Sequence, residues 1–356
     1  MDAPLPDLLV IVRIETWTAA TFDHILNFSR LSNTPHFDIL FLANADVPGD
    51  FKTKCEKHRL RSGYGYQRIF FEVRPESRNF PKGPLLESVL ARNYAFVMLL
   101  PEHIFPTEIR CFEKGQQYLF DHENLTLISG PSVCMPKNSF AKFVLSSLWQ
   151  NPFFYGAQRL AYGEQDDGLE FVLHSCDFAL VKTDSTIQLE PILMAEASQW
   201  PRYLSAWVHD PSLASLGIGC LACNTSLPKP FAEYFWADVR RAYNTIPHWR
   251  RGIDDPFKIV LLTHTLLFVL VTLMLILIAC SQGVLHWVMI FLLMGYVITT
   301  FLSGWIYRSK SAVPQLAASV VAPFAIYLSG LMVLLGVFDF ILLPLTQHTP
   351  RPHGSA

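Results

Sequence analysis

Two polar clusters in the middle of the chain carry the residue types that could do chemistry. The first is an acidic turn, Glu164-Gln165-Asp166-Asp167-Gly168, and the second is Gln199-Trp200-Pro201-Arg202-Tyr203. A carboxylate can take a proton from a hydroxyl group, an arginine can hold a phosphate, and an aromatic ring can lie against a sugar. The two clusters could be halves of one site. A solvated surface turn and a packed arginine are the structural alternatives.

Three apolar runs in the first hundred residues predict buried strands that would position such groups. They cover residues 8–12, 37–43 and 94–100. Strands that alternate with helices form an open, mainly parallel sheet, so we expect an α/β fold whose ligands bind beyond the carboxyl ends of the strands. The remaining segments predict helices over residues 21–31, 52–68, 82–90, 107–121 and 139–149, strands over residues 69–73 and 125–135, and a buried return through residues 171–173 and 178–181.

Polar residues follow each of the three runs. Glu15 comes after the first run, Asp46 after the second, and Glu102 and His103 after the third. Glu15 and Asp46 are candidates for a nucleotide pocket, and ordinary turn chemistry is an equal alternative. Glu102 and His103 could ligate a divalent ion together with diphosphate oxygens, and they too could simply form a turn.

The last third of the chain is much more apolar than an ordinary soluble protein. The whole chain is 51% hydrophobic and 16% charged, and the apolar excess is concentrated in residues 257–280, 284–307 and 321–346. Each run can cross a hydrocarbon layer of about 30 Å as a helix that rises about 1.5 Å per residue. We therefore expect a C-terminal bundle of about three transmembrane helices, which ends in a polar tail over residues 347–356.

Basic residues near the spans predict their orientation. The positive-inside rule places the N-terminal 250 residues and the loop around Arg308 in the cytoplasm, with the C-terminus on the far side. The chain opens without a basic segment ahead of an apolar core, so we expect no signal peptide. These patterns predict an integral protein of the plasma membrane or an endomembrane. Its partners would include the lipid bilayer, and we expect no nucleic acid among them. A homo- or hetero-oligomer is compatible with these patterns.

Several polar or helix-breaking residues lie close to the spans. Residues 231–241 predict an amphipathic helix on the cytoplasmic membrane face, within an interfacial segment over residues 216–256. Pro314 and Pro323 favour an interfacial or kinked segment over residues 312–322. Asp339 is a functional candidate or a residue that reaches the headgroups, and His264 is expected to make a polar contact between helices.

The order of these pieces resembles the membrane-bound family 2 glycosyltransferases, the group of cellulose, chitin and hyaluronan synthases, and most of all the fungal capsule-type polysaccharide synthases. The resemblance covers residues 8–215. Its most specific parts are the acidic turn, which stands where the family has its catalytic Asp, and residues 199–203, which resemble the family's Q-x-x-R-W motif. Lys82-Gly83 ahead of a helix and Glu102-His103 ahead of a Pro match the segments around the family's metal-binding strand.

The resemblance implies a GT-A fold in residues 1–215 that binds a UDP-sugar and inverts the anomeric centre while transferring the sugar to a glycan or glycolipid acceptor. Asp166 would be the general base, with Asp167 as the fallback. Gln199 and Arg202 would hold the acceptor and the leaving diphosphate, and Trp200 or Tyr203 would offer a flat face to a sugar ring. Substrate binding would also involve the residues Glu15, Asp46 and Lys82.

The same resemblance implies a Mg²⁺ or Mn²⁺ ion held by Glu102, with His103 as a compensating ligand. The family's metal motif is Asp-x-Asp, and this chain has Leu100 in place of the first Asp and Glu102 in place of the second. Tyr203 replaces the final Trp of the second motif. A catalytically impaired relative that serves as a binding or assembly subunit is therefore the alternative, and a small transporter or scaffold with an unrelated α/β domain is a third hypothesis.

Overall fold

The computed structural model describes most of the chain in fifteen segments. They cover residues 8–14, 17, 37–43, 48–62, 66–73, 94–107, 110–134, 140–161, 166–173, 176–183, 188–195, 200–225, 230–249, 257–306 and 312–346. Contacts divide the chain into two compact units. The sheet unit comprises residues 1–137 and 160–228, and the helical unit comprises residues 138–159 and 229–356. The sequence boundary expected near residue 215 does not anticipate that residues 138–159 pack with the membrane helices.

The sheet unit is built on an eight-stranded mixed sheet. Strands β1 to β4, β6 and β10 run in one direction, and β8 and β9 run against their neighbours. The strand order across the sheet is β3-β2-β1-β4-β9-β6-β10-β8. These strands are β1 Leu8–Ile14, β2 Phe37–Ala43, β3 Tyr66–Val73, β4 Phe96–Pro101, β6 Leu127–Ser129, β8 Glu170–Phe171, β9 Ala179–Lys182 and β10 Ser215–Ile218.

Both faces of the sheet are covered by apolar packing. Every residue of β1 and of β2 is buried, as is typical of parallel strands covered on both faces. Successive residues of a strand point to opposite faces, so Leu8 and Val10 join one core cluster and Leu9 and Ile11 join the other. The helices of this unit are α1 Gly49–Ser62, α2 Cys111–Asp121, α5 Leu189–Met194 and α6 Trp200–Val208.

A second, three-stranded sheet is formed by strands that follow β4, β6 and β10 of the main sheet in the chain. It consists of β5 Ile104–Pro106, β7 Ser132–Cys134 and β11 Cys223–Thr225, in the order β5-β11-β7. The turn between β6 and β7 contains Gly130, where an added Cβ would overlap the carbonyl group of Leu221. The prediction of a single strand over residues 125–135 is therefore wrong. The chain forms two short strands there, because it passes from the first sheet to the second at Gly130-Pro131.

The helical unit contains three helices that are long and apolar enough to cross a membrane. They are α8 Phe257–Cys280, α9 Val284–Ile306 and α10 Ala312–Thr346. Three further helices pack in this unit: α3 Phe140–Trp149, α4 Pro152–Tyr155 and α7 Phe231–Trp249. α7 is amphipathic as expected, because Phe235, Val239, Ala242 and Ile246 form its buried stripe.

Polar contacts hold the shorter helices of this unit to the long ones. The Asp238 carboxylate of α7 accepts hydrogen bonds from Trp149 Nε1 and from the Tyr155 hydroxyl. His264 of α8 has Nδ1 2.9 Å from the Ser329 hydroxyl of α10 and Nε2 2.5 Å from the Phe153 carbonyl of α4. This confirms His264 as a polar contact between helices. Asp339 of α10 accepts a hydrogen bond from the Tyr243 hydroxyl of α7 at 2.6 Å.

Some helix boundaries differ from the expected ones. The helix expected over residues 52–68 ends at Ser62, because residues 66–73 already form β3. Residues 312–322 are part of α10 and do not form a separate segment. Pro314 lies in the first turn of α10, where its missing N–H group costs nothing, and the helix continues through Pro323. The helices expected over residues 21–31 and 82–90 lie outside the described residues.

Candidate functional site

The carboxyl edge of the main sheet is the end at which β1 to β4, β6 and β10 finish. Glu102 follows β4 at this edge, and Gly219 follows β10. β8 and β9 run in the opposite direction, so the segments that precede them open at the same edge. Those segments carry the acidic turn Asp166-Asp167 and Asp177. The fold therefore brings the Glu102 turn and the acidic turn to one edge of the sheet.

The acidic turn is tied to the end of β10 by backbone contacts. Its own closure is a hydrogen bond from Leu169 N to the Asp166 carbonyl at 2.9 Å, and Gly219 N donates to the Leu169 carbonyl at 2.8 Å. An added Cβ at Gly219 would overlap the Asp166 carbonyl oxygen. Only glycine allows this approach, so the backbone of the acidic turn has a defined position at the carboxyl edge.

The two carboxylates of the turn have different surroundings. Lys114 of α2 donates to the Asp167 carboxylate at 2.5 Å. The Asp166 side chain is exposed, and within the described part of the chain its carboxylate makes no hydrogen bond or ion pair. The Asp167 oxygen is therefore occupied by the Lys114 ammonium group, whereas the Asp166 carboxylate is open to solvent. Asp166 is thus the carboxylate of the turn that a ligand could reach.

Asp177 and Ser132 are residues that the sequence patterns did not indicate as site candidates. Asp177 precedes β9, and its carboxylate accepts a hydrogen bond of 2.9 Å from the Ser132 hydroxyl at the start of β7. The only signal in the sequence was the position of Asp177 directly ahead of an apolar run, since an antiparallel strand starts where its parallel neighbours end. Lys114 was missed as well, because nothing in the chain links it to the acidic turn.

Glu102 and His103 form the turn between β4 and β5. Both side chains are half-buried and interact with neighbouring groups. Among the residues that the structure describes, no group of three or more His, Cys, Asp or Glu side chains could hold a metal ion. Mg²⁺ usually takes one or two protein carboxylates and completes its shell with water and phosphate oxygens. The Glu102 carboxylate suits such a site, in which the ligand supplies most of the oxygens.

The second polar cluster does not match its expected role in full. Trp200 begins α6 and is only 1% exposed, packed among Ile192, Leu204 and Val208. The indole ring is enclosed by this packing, so a contact between Trp200 and a sugar stays a prediction. Its Nε1 atom has no hydrogen-bond partner in the described part of the molecule. Tyr203, one turn further on, packs at the border of the same cluster and is half-buried.

Several expected site residues lie outside the described residues. They are Glu15, Asp46, Lys82 and Gln199. The backbone of Arg202 belongs to α6, and its side chain is outside the description. The juxtaposition of the acidic turn with residues 199–203 consequently stays a prediction.

An open groove of 630 Å³ lies beside the end of α2 and the segment that leads into β6, and Glu170, the first residue of β8, also lines it. The Tyr118 hydroxyl donates to the Glu170 carboxylate there at 2.6 Å, and the Tyr118 ring stacks on His122. Partial burial and the Glu170 carboxylate raise the pKa of Tyr118 to about 12. The hydrogen bond holds the Tyr118 hydroxyl in place against Glu170.

No protein-family model matches the chain, and no curated protein matches it. Among solved structures, the mannosyltransferase PcManGT from Pyrobaculum calidifontis is similar over 91% of this chain and 87% of its own, at 14% identity and a TM-score of 0.48. Glucosyl-3-phosphoglycerate synthase from Mycobacterium tuberculosis is similar over 70% of this chain and 81% of its own, at 13% identity and a TM-score of 0.33. TarS of S. aureus is similar over 67% of this chain and 65% of its own, at 11% identity and a TM-score of 0.37.

Proposed function

We propose that the protein is a membrane-anchored inverting glycosyltransferase that moves a sugar from a UDP-sugar to a glycan or glycolipid acceptor. The observation that carries this proposal is the Asp166 carboxylate. It is exposed and without a hydrogen bond or ion pair among the described residues, in a turn held to the carboxyl edge of a mainly parallel sheet. Ligands of open α/β sheets bind at this edge, and a single positioned carboxylate is what an inverting displacement requires.

In the proposed reaction the acceptor hydroxyl oxygen attacks the anomeric carbon of the donor. The bond from that carbon to the diphosphate oxygen breaks with its electron pair, so UDP leaves. The hydroxyl proton passes to the Asp166 carboxylate. Because attack and departure occur on opposite faces, one displacement inverts the anomeric centre. Asp167 stays paired with Lys114 and holds the turn against α2.

A divalent ion, Mg²⁺ or Mn²⁺, would be held by Glu102, with His103 beside it. Its contribution when bound would be to neutralise the charge that develops on the departing diphosphate. Glu102 supports this role because it follows β4 at the same edge as the acidic turn. A site with one protein carboxylate should bind the ion weakly until the donor diphosphate adds its oxygens.

The remaining substrate contacts are proposed from the resemblance. Gln199 and Arg202 would bind the acceptor and the leaving diphosphate, and Glu15, Asp46 and Lys82 would lie around the nucleotide. Tyr203 is the aromatic residue of the second cluster whose ring is not enclosed in the core, so the sugar-stacking role falls to it. Three spans would anchor the enzyme with its sheet unit in the cytoplasm, in agreement with the basic residues beside the spans.

The first experiment compares Asp166→Asn with Asp167→Asn in the full-length, detergent-purified protein. UDP release from UDP-sugars is measured with Mg²⁺ or Mn²⁺ and in the presence of a metal chelator. We expect Asp166→Asn to lower the rate by about 10²–10⁴, the usual contribution of a general base, and Asp167→Asn to lower it far less. Equal losses in both variants, or metal-independent release, would contradict the assignment.

The second candidate function is a sugar-nucleotide-binding subunit without catalysis. Leu100 in the first metal position favours it, as does the lack of a three-residue metal cluster in the described ranges. Titration calorimetry with UDP decides between the two. UDP binding in a protein that never releases UDP from any UDP-sugar would support the subunit, and metal-dependent release would support the enzyme.

A further inference from the structure

The sheet unit contains an open groove beside the C-terminal end of α2. Its volume is 630 Å³, within the range of about 300–1,000 Å³ that small-molecule sites occupy. Its walls come from the end of α2, the segment that leads into β6, and the edge of the sheet at β8 and β10. All of these belong to one compact unit. The residues that line the groove include Tyr118, Phe120, Asp121, Glu123, Asn124 and Glu170.

The groove begins one turn of α2 away from the acidic turn. Lys114 of α2 donates to the Asp167 carboxylate at 2.5 Å. Tyr118, four residues further along the helix, donates to the Glu170 carboxylate at 2.6 Å. Four residues of an α-helix span about 6 Å along its axis. A chain molecule that lies in the groove can therefore extend along α2 to the Asp166 carboxylate.

Hydrogen bonds hold the rim of the groove in place. The Lys182 ammonium group donates to the carbonyl oxygens of His122 and Glu123, at 3.0 and 3.2 Å, and so fixes the backbone that follows α2. The Asp121 carboxylate accepts a hydrogen bond of 2.8 Å from Gln117 Nε2. A site whose groups are already ordered loses less conformational entropy when a ligand binds. The groove is thus preorganised at its rim.

The charge of the lining determines which ligands the groove accepts. Three carboxylates line it, those of Asp121, Glu123 and Glu170, and no lysine or arginine of the described chain is among the lining residues. Lys182, which fixes the rim, directs its ammonium group at backbone carbonyl oxygens. A ligand that carries carboxylates or phosphates would be repelled by such a lining. Nucleotides and glycans built from uronic acids are therefore disfavoured.

The lining also offers an aromatic ring beside its hydrogen-bonding groups. The Phe120 side chain is 70% exposed at the groove. An aromatic face can cover the C–H face of a sugar ring, and carboxylate and amide oxygens accept hydrogen bonds from sugar hydroxyl groups. A basic peptide would also suit the carboxylates. Continuity with the acidic turn, where the proposed reaction consumes a hydroxyl group, favours a glycan.

We propose that this groove binds the acceptor of the transfer reaction, and that the acceptor is a glycan without acidic groups. The Phe120 ring stacks on one sugar of the chain, and the carboxylates of Asp121 and Glu123 accept hydrogen bonds from its hydroxyl groups. The chain extends along α2 to Asp166, which takes the proton of the attacking hydroxyl. The inference rests on the proposed transferase function and names the substrate class for it.

The first measurement is glycan binding by the full-length protein in lipid nanodiscs, which contain no sugar-based detergent. An array presents short neutral, amino-bearing and uronic-acid oligosaccharides, and binding of tetralysine is measured separately. We expect binding to neutral or amino-bearing chains. Uronic-acid chains of equal length should bind at least about tenfold more weakly, because like charges repel.

A pair of variants tests the aromatic contact. Phe120→Ser removes a ring that is mostly exposed, so the protein should fold, and its glycan affinity should fall about five- to tenfold because the apolar contact is lost. Val172→Ser is the matched control. Val172 is 69% exposed in the same unit and does not line the groove, so this variant should keep the wild-type affinity and the wild-type rate of UDP release.

A charge-reversed variant tests the selectivity. Asp121→Lys combined with Glu123→Lys places lysines at the C-terminal end of α2, where positive charge is favourable, so the protein should fold. The affinity for uronic-acid chains relative to neutral ones should rise by about tenfold or more. The glycans that the wild type binds are then offered as acceptors with Mn²⁺ and a labelled UDP-sugar, and they should become labelled.

The outcomes separate the inference from the function on which it rests. Equal glycan affinities of Phe120→Ser and Val172→Ser, or an unchanged selectivity in the lysine variant, would overturn the inference while UDP release still supported the transferase. Binding of tetralysine without binding of any neutral or amino-bearing glycan would overturn it in favour of a peptide site. If the wild type binds glycans through Phe120 but never releases UDP, the proposed function fails and the acceptor role fails with it.

Discussion

α9 and α10 are both apolar enough to span a membrane, yet they differ in how they pack. In the most apolar window of each helix, 6% of the residues of α9 and 39% of those of α10 are buried. α9 exposes large side chains such as Trp287 and Phe291. The buried stripe of α10 is made mostly of small or polar residues: Gln315, Ala318, Ser319, Ala322, Ala325, Ser329 and Gly330.

Hydropathy is sufficient to identify a membrane helix, whereas the size of the side chains along one stripe identifies the helix at the centre of the bundle. Small residues let neighbouring backbones approach, and α10 is contacted by α3, α4, α7, α8 and α9. The small residues on α10 therefore indicate close helix packing. Gly295 on α9, by contrast, has open space around it.

The strongest test of this comparison is a pair of glycine substitutions. A Cβ at Gly330 of α10 would overlap the His264 carbonyl oxygen and crowd Phe268, so Gly330→Leu should cost about 3 kcal/mol or more. Gly295→Leu on α9 meets no such obstacle and should fold normally. Thermal unfolding followed by size-exclusion chromatography in detergent should show a Tm lower by about 5 °C or more for Gly330→Leu alone. Equal Tm values for the two variants would refute the difference.

Two histidines give the next contrast. His264 joins α8 to α10 and α4 through both ring nitrogens, so His264→Ala should destabilise the helical unit by about 2 kcal/mol. Within the described part of the chain, His286 of α9 makes one such contact, between Nδ1 and the Ile278 carbonyl at 2.9 Å, and His286→Ala should cost about half as much. The same unfolding assay compares the two variants. A larger loss of stability for His286→Ala would contradict the view that α10 is packed more closely than α9.

Two serines on α10 should show the smallest effects, and only one of the two substitutions should destabilise the protein. Ser329→Ala removes a hydroxyl that lies 2.9 Å from His264 Nδ1, and it should destabilise by about 1 kcal/mol. Ser319 is fully buried, and its hydroxyl has no partner among the described residues. Ser319→Ala removes an unsatisfied polar group and should be neutral or slightly stabilising. If Ser319→Ala proved as costly as Ser329→Ala, Ser319 would have a partner beyond those described.

The sequence predicted the elements whose signal is local. β1, β2 and β4 are continuous apolar runs, and α8 and α9 are long uninterrupted ones, so their positions follow from composition alone. The division of residues 125–135 between two sheets was not predictable, because it depends on the approach of Gly130 to Leu221, some ninety residues away in the chain. The grouping of α3 with the membrane helices also depends on contacts distant in sequence.

The candidate site shows the same division. The acidic residues of the turn could be recognised by type and by their place ahead of an apolar run. The different surroundings of Asp166 and Asp167 could not be predicted, since they depend on Lys114. Lys114 reaches Asp167 only because α2 packs beside the turn. The type of Trp200 suggested a residue that stacks on a sugar, whereas its burial among residues of α5 and α6 depends on tertiary packing that the type does not show.

The interruption of the sheet unit by α3 and α4 has a practical consequence. A truncated protein that ends before residue 229 would lose α7, α8, α9 and α10, each of which contacts α3 or α4. Buried residues of these two short helices, Leu145, Leu148 and Phe154, would then meet water as an apolar patch. Such patches promote aggregation. A water-soluble fragment for donor-binding studies must therefore have residues 138–159 redesigned, and removal of the spans alone would not suffice.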